Sequence, residues 1–208
     1  WVAIVGDLVV ADGGGEGPGV WRLDDGTPLF LDRAPSAALT AADVSPDGTT
    51  LLAGFADGSV ALWSLPEGER TALGPRHRGA IQHLSISPDG RSAAAGDSTG
   101  GVQVVDLPTL ARVARLRGHR QKVTRVAWSP SSDRLATGSV DRTVRVWSRG
   151  GVEQTVLWGH RGWINALAWR PSGKALASGG SDGTIRIWSP GDAGAERVLR
   201  QRRAITEL

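Results

Sequence analysis

Cysteine, methionine and tyrosine are absent from this chain of 208 residues, and phenylalanine occurs only twice. Without cysteine the chain can form no disulfide, no cysteine-ligated zinc site and no thiol nucleophile, and the composition suits a reducing compartment. We therefore expect a cytoplasmic protein. The four histidines lack the paired spacing of a metal site, so we expect neither a metal ion nor another cofactor.

Long apolar runs are also missing, which argues against a membrane span and a membrane partner. Residues 1–10 are mostly apolar, but they include a Gly and an Asp and lack a basic leader, so they do not resemble a signal peptide either. Because residue 1 is not an initiator Met, we expect a domain of a larger protein. Only Lys122 and Lys174 among the 24 basic residues are Lys, and this bias towards Arg points to a GC-rich bacterial genome.

What the chain does contain is an internal repeat. One marker of the repeat is the proline of a turn motif, which recurs in steps of 42, 42 and 41 residues at Pro46, Pro88, Pro130 and Pro171. Two further markers recur in steps of 42 or 41 residues. One is an apolar position, mostly Trp, at Trp21, Trp63, Val105, Trp147 and Trp188, and the other is a His at His77, His119 and His160. Because three markers keep one register, each period is one structural unit.

Within each period the sequence consists of short runs bounded by turn residues. Residues 143–147 (TVRVW) and 184–188 (TIRIW) alternate between polar and apolar side chains, which predicts strands. Pro-Asp-Gly and Asp-Gly segments between the runs favour tight turns. Four such runs fit into one period and no segment requires a helix, so we expect an all-β fold. Four strands every ~40–45 residues are typical of propeller blades.

The repeats resemble the WD-repeat β-propeller family. The motifs that carry the resemblance in one repeat are Gly118-His119, 123–130 (VTRVAWSP), 135–139 (LATGS) and 141–147 (DRTVRVW). The next repeat carries them again at 159–160, 164–171, 176–180 and 182–188. The resemblance extends over essentially the whole chain, and it implies a propeller of four-stranded antiparallel blades.

We expect a single propeller domain, residues 1–208, with five blades. Four blades are continuous in the chain, at 37–78, 79–121, 122–162 and 163–202. The fifth is split, because 204–208 (AITEL) resembles the first strand at 80–84 (AIQHL), and 1–23 aligns without a gap with 85–107. Residues 1–36 supply strands b to d of this blade and 203–208 supply strand a. The alternative is a part of a larger ring or an assembly of chains.

The resemblance implies a buried hydrogen-bond chain in each blade that joins a His, a Ser or Thr, an Asp and the repeat Trp. Two blades carry the full set: His119, Thr137, Asp141 and Trp147; His160, Ser178, Asp182 and Trp188. The other blades depart from it, with Ala53 in place of the hydroxyl and His77 standing alone. A hydrolase triad uses the same residue types, but here the hydroxyl lies in a strand and no nucleophile elbow is present. We therefore expect a structural role and no enzyme.

In propellers of this family, a partner binds on the face formed by the loops that lead into each blade and by the residue before the blade's Asp. We call this surface the top face. The corresponding residues of this chain are Arg78, Arg120, Lys122, Arg161, Trp163, Arg202 and Arg203, with Ala56, Val140 and Ser181. The loop residues are almost all cationic and surround one Trp.

These residues suggest a non-catalytic interaction scaffold or sensor module whose top face binds an acidic or phosphorylated protein segment. The partner is another protein or another domain of a larger parent chain. Nucleic acid is an alternative that the net charge of only +3 disfavours but does not exclude. A small ligand or glycan between blades is a further alternative, and the simplest is a solvated surface on which Arg serves solubility.

Overall fold

Strands form in the short runs that turn residues separate, and the second strand of most repeats is buried at nearly every position, as in residues 50–55 and 92–97. The computed structural model describes residues 2–5, 8–12, 18–29, 35–65, 67–190 and 195–200. In this part of the chain the regular secondary structure consists of strands alone, which hydrogen-bond into five antiparallel sheets of four strands. The predictions of an all-β fold and of five four-stranded sheets are thus confirmed.

The sheets are numbered from the N-terminus, and strands consecutive in the chain are neighbours in each sheet. The first sheet has β1 (Val2–Val5), β2 (Leu8–Asp12), β3 (Pro18–Arg22) and β4 (Pro28–Leu29). The second has β5 (Leu39–Val44), β6 (Thr50–Phe55), β7 (Val60–Ser64) and β8 (Arg70–Leu73). The third has β9 (Ile81–Ile86), β10 (Ser92–Asp97), β11 (Val102–Asp106) and β12 (Arg112–Leu116). The fourth has β13 (Val123–Trp128), β14 (Arg134–Ser139), β15 (Val144–Ser148) and β16 (Glu153–Leu157). The fifth has β17 (Ile164–Trp169), β18 (Leu176–Gly180), β19 (Thr184–Trp188) and β20 (Ala195–Arg200).

The proline motifs form tight turns between the first and second strands of their sheets. In the second sheet the Gly48 N–H donates to the Ser45 carbonyl at 2.8 Å, and Gly48 has a φ of +73°. Glycine adopts this left-handed conformation without the steric cost that other residues incur. The fourth sheet has Ser132 at this position, at a φ of +60°, and the Ser132 hydroxyl accepts the Asp89 N–H at 3.1 Å. That contact ties the turns of two neighbouring sheets together.

Neighbouring sheets pack face to face through the apolar positions of the repeat. Trp188 is fully buried in a cluster with Val144, Val146 and Leu157 of the fourth sheet. Trp147 lies in the corresponding cluster with residues of the third sheet. The repeat Trp therefore fills the space between its own sheet and the preceding one, and its large side chain makes it the main packing element of each interface.

Hydrogen bonds between innermost strands also join the sheets. Trp128 Nε1 donates to the Ser85 carbonyl at 3.0 Å, and 41 residues later Trp169 Nε1 donates to the Ala127 carbonyl at 3.0 Å. Between the second and third sheets the donor again belongs to the later sheet, but the side chain is the acceptor, because Asp43 Oδ2 accepts the Ile86 N–H at 2.8 Å. Burial raises the pKa of Asp43, against the opposing effect of this hydrogen bond.

The face of the fifth sheet that points away from the fourth has no apolar cover among the described residues. Leu157 of the fourth sheet pairs with Val144 and is 1% exposed. Leu199 occupies the same repeat position, paired with Ile185, and is 52% exposed. This face thus has the apolar residues that form an interface between sheets elsewhere, but here they are exposed.

The first sheet differs from the expected blade that both chain ends share. Its innermost position, beside β2, is held by β1 in an antiparallel pairing. The run Val-Ala-Ile-Val has a high β propensity and is only two residues away from β2 in the chain, so a local strand pair forms. The alignment of residues 1–23 with 85–107 instead predicts that this run corresponds to the turn between the first two strands of the third sheet. The strand expected at 204–208 lies outside the described residues.

Candidate functional site

A buried hydrogen-bond chain joins the four predicted residues of the fourth sheet. Trp147 Nε1 donates to Thr137 Oγ1 at 2.9 Å, and Thr137 Oγ1 lies 2.8 Å from His119 Nε2. His119 Nδ1 lies 2.9 Å from Asp141 Oδ2. Because a carboxylate only accepts, Nδ1–H of a neutral imidazole donates to Asp141, so Nε2 accepts from the Thr137 hydroxyl, which itself accepts the indole N–H. The direction of every hydrogen bond in the chain is thereby fixed.

The fifth sheet repeats this arrangement with a serine. Trp188 Nε1 donates to Ser178 Oγ at 2.8 Å, Ser178 Oγ lies 2.8 Å from His160 Nε2, and His160 Nδ1 lies 3.1 Å from Asp182 Oδ2. Burial, together with the charge of Arg186, lowers the pKa of His160 against the opposing effect of the Asp182 carboxylate. The imidazole is therefore neutral at neutral pH, as the hydrogen-bond directions require.

Each carboxylate also fixes the loop that leads into its sheet. Asp141 Oδ2 accepts the Arg120 N–H at 3.0 Å, and Asp182 Oδ2 accepts the Arg161 N–H at 2.6 Å. Burial raises the pKa of Asp141, but the hydrogen bonds from His119 and Thr143 outweigh it and hold the pKa well below its usual range. These charged acceptors anchor the backbone of the top face to the sheet cores.

The hydroxyls of these sets are not available for catalysis. Thr137 and Ser178 are both 0% exposed, and each hydroxyl already bridges an indole and an imidazole. A nucleophile needs access to a substrate carbonyl, and these two groups have none. The resemblance of His160, Ser178 and Asp182 to a hydrolase triad is therefore limited to residue type and spacing.

The third sheet has a His–Asp pair that the sequence does not reveal. His77 was expected to stand alone, but His77 Nδ1 lies 3.1 Å from Asp97 Oδ2, and both side chains are buried. Asp97 is the last residue of β10, two positions before the one that aligns with Asp141. The spacing of the repeat places the expected Asp at position 99, where this chain has Thr. The Thr99 hydroxyl donates to Asp97 Oδ1 at 2.7 Å.

Paired backbone hydrogen bonds hold the predicted loop and turn residues of the top face together. The Val140 N–H donates to the Lys122 carbonyl at 2.9 Å, and the Ser181 N–H donates to the Trp163 carbonyl at 2.8 Å. The Trp163 N–H in turn donates to Ser181 Oγ at 2.8 Å. Trp163 is thus fixed by two hydrogen bonds of its backbone, although its side chain is 56% exposed.

Lys122, Val140 and Trp163 share one cavity of about 540 Å³ near the innermost strands of the third to fifth sheets. We call it the central cavity. Its other lining residues are Gln82, Gln121, Thr124, Arg125 and Asn165. The cavity thus combines an exposed indole, three side-chain amides, a hydroxyl and two cationic side chains.

The remaining predicted residues of the top face lie elsewhere. Arg120 and Arg161 are exposed and do not line the central cavity. Arg78 lines a different cavity, above the third sheet. Ser181 supports the Trp163 backbone and is not a lining residue, and Ala56 is exposed in a turn of the second sheet. Arg202 and Arg203 lie outside the described residues.

The polar residues of the central cavity were missed at the sequence level, although a signal was present. Gln82, Thr124 and Asn165 each follow the fully buried first residue of an innermost strand, β9, β13 and β17. A polar residue at one repeated position of an otherwise apolar strand marks the side that faces the cavity. The sequence prediction considered only loop residues and therefore overlooked this position.

Two further properties of the described residues bear on the kind of site. No group of three or more His, Asp or Glu side chains in this part of the chain is arranged to hold a metal ion. No helix that could cross a bilayer occurs in the same residues.

The five sheets and the repeated His, Ser/Thr, Asp and Trp sets define a β-propeller built from one repeated unit. The family model described as "WD domain, G-beta repeat" matches residues 26–64, 110–148 and 151–189. These segments together make up more than half of the chain, and the chain belongs to this family. Each matched segment begins before the first strand of one sheet and ends just after its repeat Trp. Propellers of this family generally act as protein-interaction modules, which agrees with the expected class of function.

The fold is similar to that of a protein made by design. The crystal structure of the computationally designed Ika8 protein superposes with a TM-score of 0.89 at 26% sequence identity, over 99% of this chain. The chain spans only 63% of the length of that protein. No curated protein is significantly similar to the chain in sequence.

Proposed function

We propose that the chain is a non-catalytic protein-interaction module whose central cavity binds an acidic segment of a partner protein. The observation that carries this proposal is Trp163, a large aromatic side chain that is 56% exposed although its backbone is fixed by two hydrogen bonds. A rigidly held, exposed Trp is typical of the residues that dominate binding energy at interfaces.

The other residues of the central cavity suit an extended peptide. A volume of about 540 Å³ lies within the range of ~300–1,000 Å³ found for ligand sites. The Gln121 amide can donate to a peptide carbonyl and accept from a peptide N–H group, and Gln82 and Asn165 add to the polar lining beside it. Lys122 has no acidic partner among the described residues, so it is available for a carboxylate of the partner.

The charge around the cavity supports an acidic partner. Arg120 and Arg161 are exposed, and neither side chain has an acidic partner in the described part of the chain. These two cations lie one and two residues along the chain from the lining residues Gln121 and Trp163, and uncompensated cations near a site raise the association rate of an anionic segment. The absence of cysteine supports a cytoplasmic location for this interaction, and the Arg-rich composition supports a bacterial source.

The test is binding to an array of acidic and matched neutral peptides, followed by affinities from fluorescence polarisation. Trp163→Ala should weaken binding of acidic peptides at least tenfold, because the aromatic anchor is lost. Trp158→Ala is the matched control, since Trp158 is 63% exposed but does not line the cavity, and it should change the affinity less than twofold. An equal loss in both variants, or no preference for acidic peptides, contradicts the proposal.

The same preparations address the alternatives. Binding to random oligonucleotides that weakens steeply with salt would favour nucleic acid as the partner. Selective binding on a glycan array that depends on Trp163 would favour a carbohydrate ligand.

A further inference from the structure

A second cavity, of about 220 Å³, lies above the third sheet and is lined by three arginines. We call it the arginine cleft. Arg115 lies in β12, Arg117 directly follows that strand, and Arg78 comes from the loop that leads into β9. The other lining residues are Asp97, Thr99, Gly100, Gly101, Leu116, Gly118 and His119. None of these residues lines the central cavity.

The three guanidinium groups are not neutralised within the described chain. Arg78, Arg115 and Arg117 are exposed, and none forms an ion pair or a side-chain hydrogen bond with another described residue. Three cations that line one small cavity repel one another, and an anion relieves this repulsion.

The only carboxylate of the arginine cleft already has a full set of donors. Asp97 Oδ1 accepts the N–H groups of Thr99 and Gly101 at 2.8 and 2.9 Å and the Thr99 hydroxyl at 2.7 Å. Asp97 Oδ2 accepts from His77. Although burial raises the pKa of Asp97, these hydrogen bonds outweigh it and lower the pKa to about 2. Its oxygens are therefore engaged with groups other than the three arginines.

The repeat itself provides the comparison that sets this cleft apart. By strand pairing, Arg115 corresponds to Leu73, Val156 and Val198 of the second, fourth and fifth sheets. The packing of the repeat therefore does not require a cation at this position. Arg117 likewise corresponds to Trp158 of the fourth sheet, whereas Arg78 keeps the residue type of Arg120 and Arg161.

In the third sheet the Arg of this residue pair lies on the fourth strand and not on the third. In the fourth and fifth sheets Arg145 and Arg186 lie on the third strand, opposite Val156 and Val198. In the third sheet Gln103 takes the place of that Arg, and the cation lies opposite it, on the outermost strand, as Arg115. Arg145 pairs with Glu153, whereas Arg115 is exposed without an acidic partner in the described residues. The exchange makes a guanidinium available to a ligand.

We infer that the arginine cleft binds a phosphomonoester group. A phosphoryl dianion offers three acceptor oxygens and a charge of about −2, which suits a cleft lined by three Arg residues without acidic partners in the described chain. A carboxylate has two oxygens and one charge, and a single Arg already satisfies it in a bidentate pair. The phosphoryl group belongs either to a phosphorylated side chain of a protein or to a small phosphorylated molecule. This site goes beyond the proposed peptide-binding function and does not depend on it.

The experiment compares three ligands at constant ionic strength and pH 7.5: inorganic phosphate, a phosphoserine peptide and a sugar phosphate. Binding is followed by isothermal calorimetry and by the shift in thermal unfolding, with succinate as the carboxylate control. We expect each phosphorylated ligand to bind at least tenfold more tightly than succinate. A peptide preference assigns the site to a protein partner, and a sugar phosphate preference assigns it to a small molecule.

The variant Arg115→Gln/Arg117→Gln should reduce phosphate affinity at least tenfold. Arg112→Gln is the matched control, because Arg112 is exposed on the same strand but does not line the cleft, and it should change the affinity less than twofold. Succinate binding as tight as phosphate binding, or equal losses in the two variants, overturns the inference. The double variant should keep the acidic-peptide affinity of the central cavity, so failure of one site does not imply failure of the other.

Discussion

Leu157 and Leu199 occupy the same repeat position in consecutive sheets but differ in burial. Leu157 is 1% exposed because the fifth sheet covers it, whereas Leu199 is 52% exposed on the last described sheet. Replacement of each by Ala removes the same atoms from two environments. The comparison therefore measures what the packing of one further sheet contributes at this position.

The expected free energies of unfolding differ clearly. Leu157→Ala leaves a cavity between two packed sheets and should cost about 2–5 kcal/mol. For Leu199→Ala, about half of the side chain is already in water, so the cost should be about 1 kcal/mol or less. In a domain of this size about 1 kcal/mol lowers the unfolding temperature by about 2–4 °C. Leu157→Ala should therefore lower it by about 4–20 °C, and Leu199→Ala by less than about 4 °C.

Urea titrations followed by Trp fluorescence, together with thermal melts by circular dichroism, give both quantities. Light scattering on the same samples checks that neither variant changes the association state, since a bound partner also stabilises the fold. A cost for Leu199→Ala equal to that of Leu157→Ala refutes the reasoning. It means that this face of the fifth sheet is covered in the folded protein, as direct contact with the first sheet or with another copy would do.

Three further predictions concern polar groups that are buried or partly buried. Burial and the nearby Arg125 lower the pKa of His83 from 6.5 to about 4. Between these two pKa values the unfolded chain binds a proton at His83 that the folded chain does not. The neutral His83 therefore contributes to the free energy of unfolding above pH 6.5, and this contribution is lost as the pH falls towards 4. His83→Gln should thus flatten the pH dependence of urea midpoints in this window, by an amount on the order of 3 kcal/mol; an unchanged slope contradicts this. Thr137→Val leaves the Trp147 indole and the His119 ring without their partner and should cost about 2–4 kcal/mol in thermal melts, and a cost below about 0.5 kcal/mol rejects the assigned network. Asp43→Ala removes the acceptor of the Ile86 N–H and should accelerate hydrogen exchange of that amide more than that of others in β9, which a uniform change contradicts.

The sheets were predicted from local sequence pattern, whereas the two complete hydrogen-bond chains were predicted through the resemblance to the WD-repeat family. Short runs bounded by turn residues identify the strands, and the Trp spacing identifies the unit that packs on its neighbour. The set of Trp147, Thr137 and His119 was implied by this resemblance, and its chemistry agrees with it because a buried indole N–H needs an acceptor.

Other features were beyond the sequence because they depend on register or on three-dimensional proximity. The pair of His77 and Asp97 was missed because the Asp lies two residues before its repeat position, and a shift of this size keeps the side chain on the same side of a strand. Arg78 was grouped with Lys122 and Trp163 by its loop position, but it lines another cavity. Only the coordinates show that its neighbours are Arg115 and Arg117.

Departures from the repeat are the best guide to function in this molecule. The backbone hydrogen bond that anchors Lys122 and Trp163 recurs at Ala38 and Ala80 in the second and third sheets, so the loop geometry is common to four sheets. The alanines show that this geometry needs no long side chain. The cation and the indole of the fourth and fifth sheets therefore serve neither the turn nor the core, just as Arg115 stands where other sheets have an apolar residue. Where other repeats of the same chain have a small or apolar residue, the fold does not require a cation or an indole. Such a position can hold a binding residue without cost to the fold, and both proposed sites consist in part of such positions.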